Sequence, residues 1–170
     1  MSSQPLITPS RRRRFACMLY EGMLLFGLVF IATLLFDLVT DSRHGLKWRF
    51  GRQLFLFVII SIYFLSAWRL SGQTLAMKTW HIRLHNPLGG KLSYLRLIQR
   101  YVLMWVFPLI FAFGIELAAR QSGLVALSSL IILAPFSNFF YTWFDPEQQF
   151  MHDRLSRTRL IDCRIPIAAS

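Results

Sequence analysis

A single carboxylate, Glu21, interrupts an apolar stretch that is long enough to cross a lipid bilayer. All residues between Arg14 and Asp37 are uncharged except Glu21. A spanning helix needs roughly 20 apolar residues, so the part that follows Glu21 is too short to span alone. An unpaired acid at this depth costs on the order of 1 to 3 kcal/mol. We therefore expect Glu21 to be neutral, to face protein or water, or to meet a cation on another element.

The composition indicates several membrane spans rather than a soluble domain. Hydrophobic residues make up 55% of the chain, which contains 16 Phe, and the mean hydropathy is positive. Four charge-poor stretches predict transmembrane helices at about 15–38, 53–70, 100–119 and 122–144. Pro108 and Pro135 are tolerated in the third and fourth spans where neighbouring helices satisfy the freed backbone groups. The predicted fold is an all-α membrane protein, a bundle of four transmembrane helices with a small cytoplasmic subdomain.

The distribution of the 19 Lys and Arg residues predicts the orientation of the bundle. Most of them fall in the amino-terminal arm, the loop between the second and third spans, and the carboxyl-terminal tail. The positive-inside rule then places both termini in the cytoplasm. Against this assignment, the first connection also carries basic residues. Its Trp48 and Phe50 are typical of a segment that lies at the membrane interface.

The polar parts of the chain divide into a lead, one long loop and a tail. Residues 1–10 show no apolar periodicity and predict a disordered cytoplasmic lead, and residues 161–170 form the tail. In the cytoplasmic loop 71–99, alternation at 80–84 and 92–95 around a turn-rich stretch predicts a short β-hairpin. Residues 160–167 alternate in part, so they either pair with this hairpin or trail off.

Three blocks of sequence carry polar residues in a set order. The first, RRFACMLYE at residues 13–21, contains Arg14 and Glu21. The second is GQTLAMK at residues 72–78, and the third joins FDP at 144–146 to MHDRLSRT at 151–158. Together they resemble the RDD family of small bacterial membrane proteins, named for one arginine and two aspartates. In this resemblance Arg14 takes the arginine's place, Glu21 that of the first aspartate, and Asp153 that of the second.

The resemblance implies an RDD-like membrane domain over about residues 11–160, in the inner membrane of a bacterial cell. It also implies a loop motif at Gly72, Gln73 and Thr74, with Ala76 where a glycine is common. Glu21 in place of aspartate keeps the ionisable group and lengthens its side chain. The family's molecular role is poorly defined, and the activity that the resemblance suggests is transport of ions or small solutes.

The charged residues near the span ends predict a polar cluster on the cytoplasmic side. Arg14 and Glu21 share a helix face but lie about 10 Å apart along its axis, so they should not touch. Asp153 is the expected partner of Arg14. The partner of Glu21 must come from another element, with Arg69, Arg100, His152 and Arg154 as candidates. Our hypothesis is a cluster of Arg14, Glu21, Asp153 and Arg154, which acts either as salt bridges that fix the bundle or as a proton or cation site.

No motif in the sequence predicts an enzyme, a cofactor or a metal site. His81 and His85 have a spacing that suits a metal only on a helix, and the residues around them predict a strand. Glu116 precedes Arg120 by four residues, which predicts a surface pair on one helix. Neither a phosphate-binding glycine loop nor a nucleophile motif occurs. We therefore expect no enzymatic activity.

Two functions stay open from the sequence. One is transport, in which Glu21 accepts a proton or cation while Arg14 and Asp153 hold the site. The other is a non-transporting scaffold or assembly factor whose basic cytoplasmic face binds a partner. The expected partners are the lipid bilayer and either further copies of the chain or another membrane protein. The net charge of +11 is explained by topology, so no nucleic acid is expected.

Overall fold

The structure is a computed structural model that describes residues 7–40 and 48–164. Most of these residues are helical. The α-helices are α1 Arg11–Thr40, α2 Arg49–Leu70, α3 Leu75–Thr79, α4 Tyr94–Ser122, α5 Ser137–Tyr141 and α6 Met151–Leu155. A 3₁₀ helix covers Val125–Phe136, and two strands, β1 Ile82–His85 and β2 Arg159–Asp162, form a small sheet.

Four helical segments in the described part of the chain are long and apolar enough to cross a membrane: α1, α2, α4 and Val125–Trp143. The prediction of four spans is confirmed. Helices α1, α2 and α4 begin four to six residues earlier than expected, at Arg11, Arg49 and Tyr94. Large apolar side chains such as Phe26 and Val39 are exposed on these segments. Such surfaces would aggregate in water, but in a bilayer they face lipid.

The fourth span is a 3₁₀ helix over most of its length, where the sequence predicted an ordinary α-helix. Runs of 3₁₀ helix longer than three or four residues are uncommon, and this one has 12 residues. Pro135 lies near its end and has no N–H to donate. The segment packs along α4, which carries Pro108 inside it. Two neighbouring spans therefore each contain a proline that interrupts the regular hydrogen-bond ladder.

The sheet joins two segments that are distant in sequence. Strand β1 pairs antiparallel with β2, with Ile82 opposite Asp162 and Leu84 opposite Leu160. The predicted hairpin between residues 80–84 and 92–95 is therefore wrong in its second strand. The physical reason is that Ser93 caps a helix, since its Oγ accepts a hydrogen bond from the N–H of Arg96. The tail thus supplies the partner strand.

The loop motif after α2 forms a tight connection into α3. Gly72 has a φ of +70° and its carbonyl accepts a hydrogen bond of 2.8 Å from the N–H of Leu84. A Cβ at this position would meet the carbonyl oxygen of Leu84 at 3.2 Å. Thr74 then caps α3, because its side chain accepts from the N–H of Met77. Glycine at position 72 and threonine at position 74 therefore both suit the local backbone.

The hydrophobic core lies at one end of the bundle, which we call the polar end. Helices α1 and α4 begin at this end, and α2 and the fourth span end there. The core residues include Trp68, Leu97, Tyr101 and Phe150.

The amino-terminal residues that precede α1 also belong to this end. Residues 1–6 of the predicted disordered lead lie outside the described residues. Residues 7–10, by contrast, pack against the tail: Pro9 is buried and the carbonyl of Ile7 accepts from the N–H of Asp162.

We predict that Gly72→Ala destabilises the protein more than Gly89→Ala. Both positions have positive φ, which costs an alanine about 1 kcal/mol, but Gly89 has open space around it. At Gly72 the added methyl group also crowds the carbonyl of Leu84, so we expect a total loss of about 2 to 3 kcal/mol. The measurement is the free energy of unfolding in detergent. Equal losses for the two variants would show that the Gly72 turn relaxes freely and would contradict the prediction.

Candidate functional site

Glu21 is buried at the polar end of α1, facing α2 and α3. The Tyr63 hydroxyl donates a hydrogen bond of 2.6 Å to one carboxylate oxygen, and the Thr74 hydroxyl donates to the other. Thr74 belongs to the loop motif, so its position follows from the Gly72 turn. Both partners come from other elements, as expected, but neither is a cation. The carboxylate is held by neutral hydroxyl groups.

None of the proposed cationic partners forms an ion pair with Glu21. Arg69 instead donates to the carbonyl of Leu92 at 3.0 Å and lies 4.9 Å from the centre of the Tyr94 ring. Arg154 pairs with Asp145, on the segment that leaves the fourth span. The predicted cluster therefore divides into separate groups, with Arg154 outside the group that contains Glu21.

Arg14 is almost completely buried, at 2% exposure. Its Nη1 donates to the carbonyl of Gln148, and its guanidinium lies 5.2 Å from the centre of the Phe150 ring. The Nε and Nη2 atoms have no hydrogen-bond partner among the described residues. The expected pairing of Arg14 with Asp153 is not formed as a hydrogen bond or ion pair in this part of the chain. Arg14 therefore keeps part of its hydrogen-bonding capacity unused.

Asp153 pairs with Arg100 instead. The Arg100 Nε donates to the Asp153 carboxylate at 2.8 Å, and the side chains are only 5% and 0% exposed. Arg100 also stacks over Trp68, with 4.2 Å between the guanidinium carbon and the ring centre. Sequence reasoning named Arg100 only as a partner for Glu21. In the sequence, Arg100 stands at the start of the third span and Trp68 at the end of the second. That placement was the available signal for their contact.

His152 lies beside this pair in α6. Its Nε2 is 3.8 Å from the Asp153 carboxylate, and its ring stacks on Phe150 at an interplanar angle of 9°. Burial away from water disfavours the charged imidazolium and lowers the pKa of His152 to about 4, although Asp153 acts in the opposite direction. His152 is therefore neutral at physiological pH.

A cavity of about 380 Å³ opens between the spans next to these residues. Arg14 and Glu21 border it from α1, Arg100 from α4 and His152 from α6. The remaining wall is mostly apolar. Pro108 and Pro135, the two prolines of the neighbouring spans, also border it. The arrangement is a mainly apolar chamber with charged groups at its polar end, a form typical of sites for small molecules.

The family comparison covers most of the chain. The model of the RDD family matches residues 8–157. The chain belongs to the RDD family. The matched region contains all of the cavity's charged groups, and it confirms the resemblance drawn from Arg14, Glu21 and Asp153. No curated protein and no solved structure matched this RDD protein.

Acid should destabilise this RDD protein through His152. The unfolded imidazole takes up a proton below its ordinary pKa of 6.5, while the buried one does so only near 4. Stability present above pH 6.5 is therefore lost as the pH falls toward 4, by about 3 kcal/mol from one group. The measurement is the free energy of unfolding in detergent across this range, compared between the native chain and His152→Phe.

The His152→Phe variant should show a flatter pH dependence than the native chain, because it removes the group that titrates. His81→Gln, which replaces an exposed histidine, serves as the matched control and should keep the native slope. A native slope in His152→Phe would assign the acid sensitivity to other groups.

Proposed function

We propose that this RDD protein transports a small solute or ion across the membrane, with Glu21 as the carboxylate that takes up and releases a proton. The observation that carries the proposal is the placement of a buried carboxylate on a cavity of about 380 Å³ between the spans. Ionisable groups at membrane depth are costly, and they commonly serve proton relays and substrate paths.

The partners of Glu21 suit repeated protonation. A hydroxyl group is both a donor and an acceptor, so Tyr63 and Thr74 can stay bonded to Glu21 in either protonation state. Asp153 is a contrasting case, because protonation there would remove the counter-charge of the buried Arg100. Of these two buried acids, Glu21 is the one that can change charge without breaking an ion pair.

The two prolines supply positions at which the spans can bend. Pro108 in α4 and Pro135 in the fourth span each remove a backbone donor, and both border the cavity. Interrupted helices that border a central site are a recurring feature of transporters. Movement at these positions would open the cavity toward one side of the membrane at a time.

We predict that Glu21→Gln lowers proton-coupled flux by at least about 10-fold, because the amide cannot carry the proton. The protein is reconstituted in vesicles that contain a pH-sensitive dye, and gradients of Na⁺, K⁺ or small organic ions are applied in turn. Glu116→Gln is the matched control, since Glu116 is a partly exposed carboxylate that pairs with Arg120 at 2.8 Å and does not border the cavity. This control should retain native flux.

Two outcomes would contradict the transport proposal. One is native flux in Glu21→Gln. The other is a folded native protein that moves no proton with any solute applied, which would favour the scaffold or assembly factor with a basic face.

We further propose that the protein lies in the inner membrane of a bacterial cell, with the polar end in the cytoplasm. Support comes from charge: the amino-terminal arm, the loop 71–99 and the tail hold most of the Lys and Arg residues. In a chain whose two cysteines are replaced by alanine, Gln121→Cys should react with a membrane-impermeant maleimide on intact spheroplasts. Lys91→Cys should react only after permeabilisation. The reverse pattern would invert the assigned orientation.

A further inference from the structure

We propose that the cavity binds an amphiphilic oxyanion, a phosphate or carboxylate group on an apolar body, and that Arg14 is its main ligand. The proposal names the class of solute for the proposed transport and in that respect rests on it. Binding itself can be measured without flux, so the two can fail separately.

Arg14 presents the donor geometry that an oxyanion requires. Its Nη1 is used by the carbonyl of Gln148, while Nε and Nη2 have no partner among the described residues. These two atoms form one edge of the guanidinium plane and direct parallel N–H bonds. Such an edge binds two oxygens of a carboxylate or phosphate at once. Arg14 is 2% exposed, so these two donors lie away from bulk water, and a buried donor without a partner is costly.

Two further unused donors belong to side chains of the cavity wall. The indole N–H groups of Trp68 and Trp105 have no acceptor within the described residues, and both side chains border the cavity. Asn138 contributes one unpartnered carbonyl oxygen, and the Nδ1 of His152 is likewise unpartnered. The oxygens of Glu21 already accept bonds from Tyr63 and Thr74. The excess of unused donors favours an anion over a cation.

The rest of the wall favours an apolar body attached to that anion. Side chains of Leu25, Ile60, Phe64 and Met104 border the cavity. A small hydrated ion would lose water to these surfaces without compensation. The volume of about 380 Å³ falls within the range of roughly 300 to 1,000 Å³ of small-molecule pockets, which is room for a headgroup and a short chain.

The test is binding of hexyl phosphate to the purified protein in phosphatidylcholine nanodiscs, measured by calorimetry. Inorganic phosphate lacks the hexyl group and so tests whether binding needs it. Hexylammonium keeps the hexyl group and carries the opposite charge. We expect hexyl phosphate to bind at least about 10-fold more tightly than either probe. No binding of hexyl phosphate, or binding of inorganic phosphate or hexylammonium as tight as that of hexyl phosphate, would overturn the proposal.

Two variants locate the ligand. Arg14→Lys keeps the charge but loses the two-donor edge, and should weaken binding about 10-fold. Trp105→Phe keeps an aromatic ring, loses only the N–H, and should weaken binding several-fold even if Arg14→Lys fails to fold. Trp143→Phe is the matched control, because Trp143 is exposed and does not border the cavity. Native affinity in Trp105→Phe and in a folded Arg14→Lys would place the ligand elsewhere and overturn the proposal.

Adding phosphatidic acid to the nanodiscs distinguishes the source of the anion. Competition with hexyl phosphate would support a membrane lipid as the ligand, and undiminished binding would support a soluble amphiphile.

Hexyl phosphate binding without any proton-coupled flux would leave the inference intact and overturn the transport function. Flux of other solutes without hexyl phosphate binding would overturn the inference alone.

Discussion

The ion pair between Arg100 and Asp153 organises the polar end of the bundle. Both charges are removed from water, so losing either partner would leave the other uncompensated and buried. The pair fixes α6 against α4, and α6 leads directly into β2, which joins β1 of the loop. Fixing α6 also positions His152 and its stacking partner Phe150, the ring that Arg14 covers. The geometry of the cavity's charged wall thus depends on one buried contact.

Two acids at the same end of the molecule are held by different chemistry, and this separates their roles. Asp153 meets the guanidinium of Arg100 in a buried ion pair that is part of the framework. Glu21 meets two hydroxyl groups, which impose no charge on it. From the sequence alone these two positions look alike, since each is an acid near the end of a predicted span. The difference arises from which residues the fold brings to them, Arg100 in one case and Tyr63 with Thr74 in the other.

The spans and the family were predictable because apolar length and ordered motifs are local signals. The pairings were not, because Arg69, Arg100 and Arg154 all lie near span ends and sequence spacing does not rank them. The hairpin prediction failed because the short alternation at 92–95 indicated a strand, whereas Ser93 caps helix α4 at that place. The 3₁₀ form of the fourth span was missed for a related reason, since its apolar composition suits either helix. Tyr63, a polar ring inside an apolar span, was the overlooked signal for the Glu21 site.

The position of Thr74 connects the interior of the bundle to the loop outside it. One hydroxyl oxygen accepts the N–H of Met77 at the start of α3 while its proton goes to Glu21. If the carboxyl group becomes the donor, the same oxygen accepts from both the carboxyl O–H and the Met77 N–H, as its two lone pairs allow. One hydroxyl group therefore joins the Glu21 carboxylate inside the bundle to the first turn of α3 outside it.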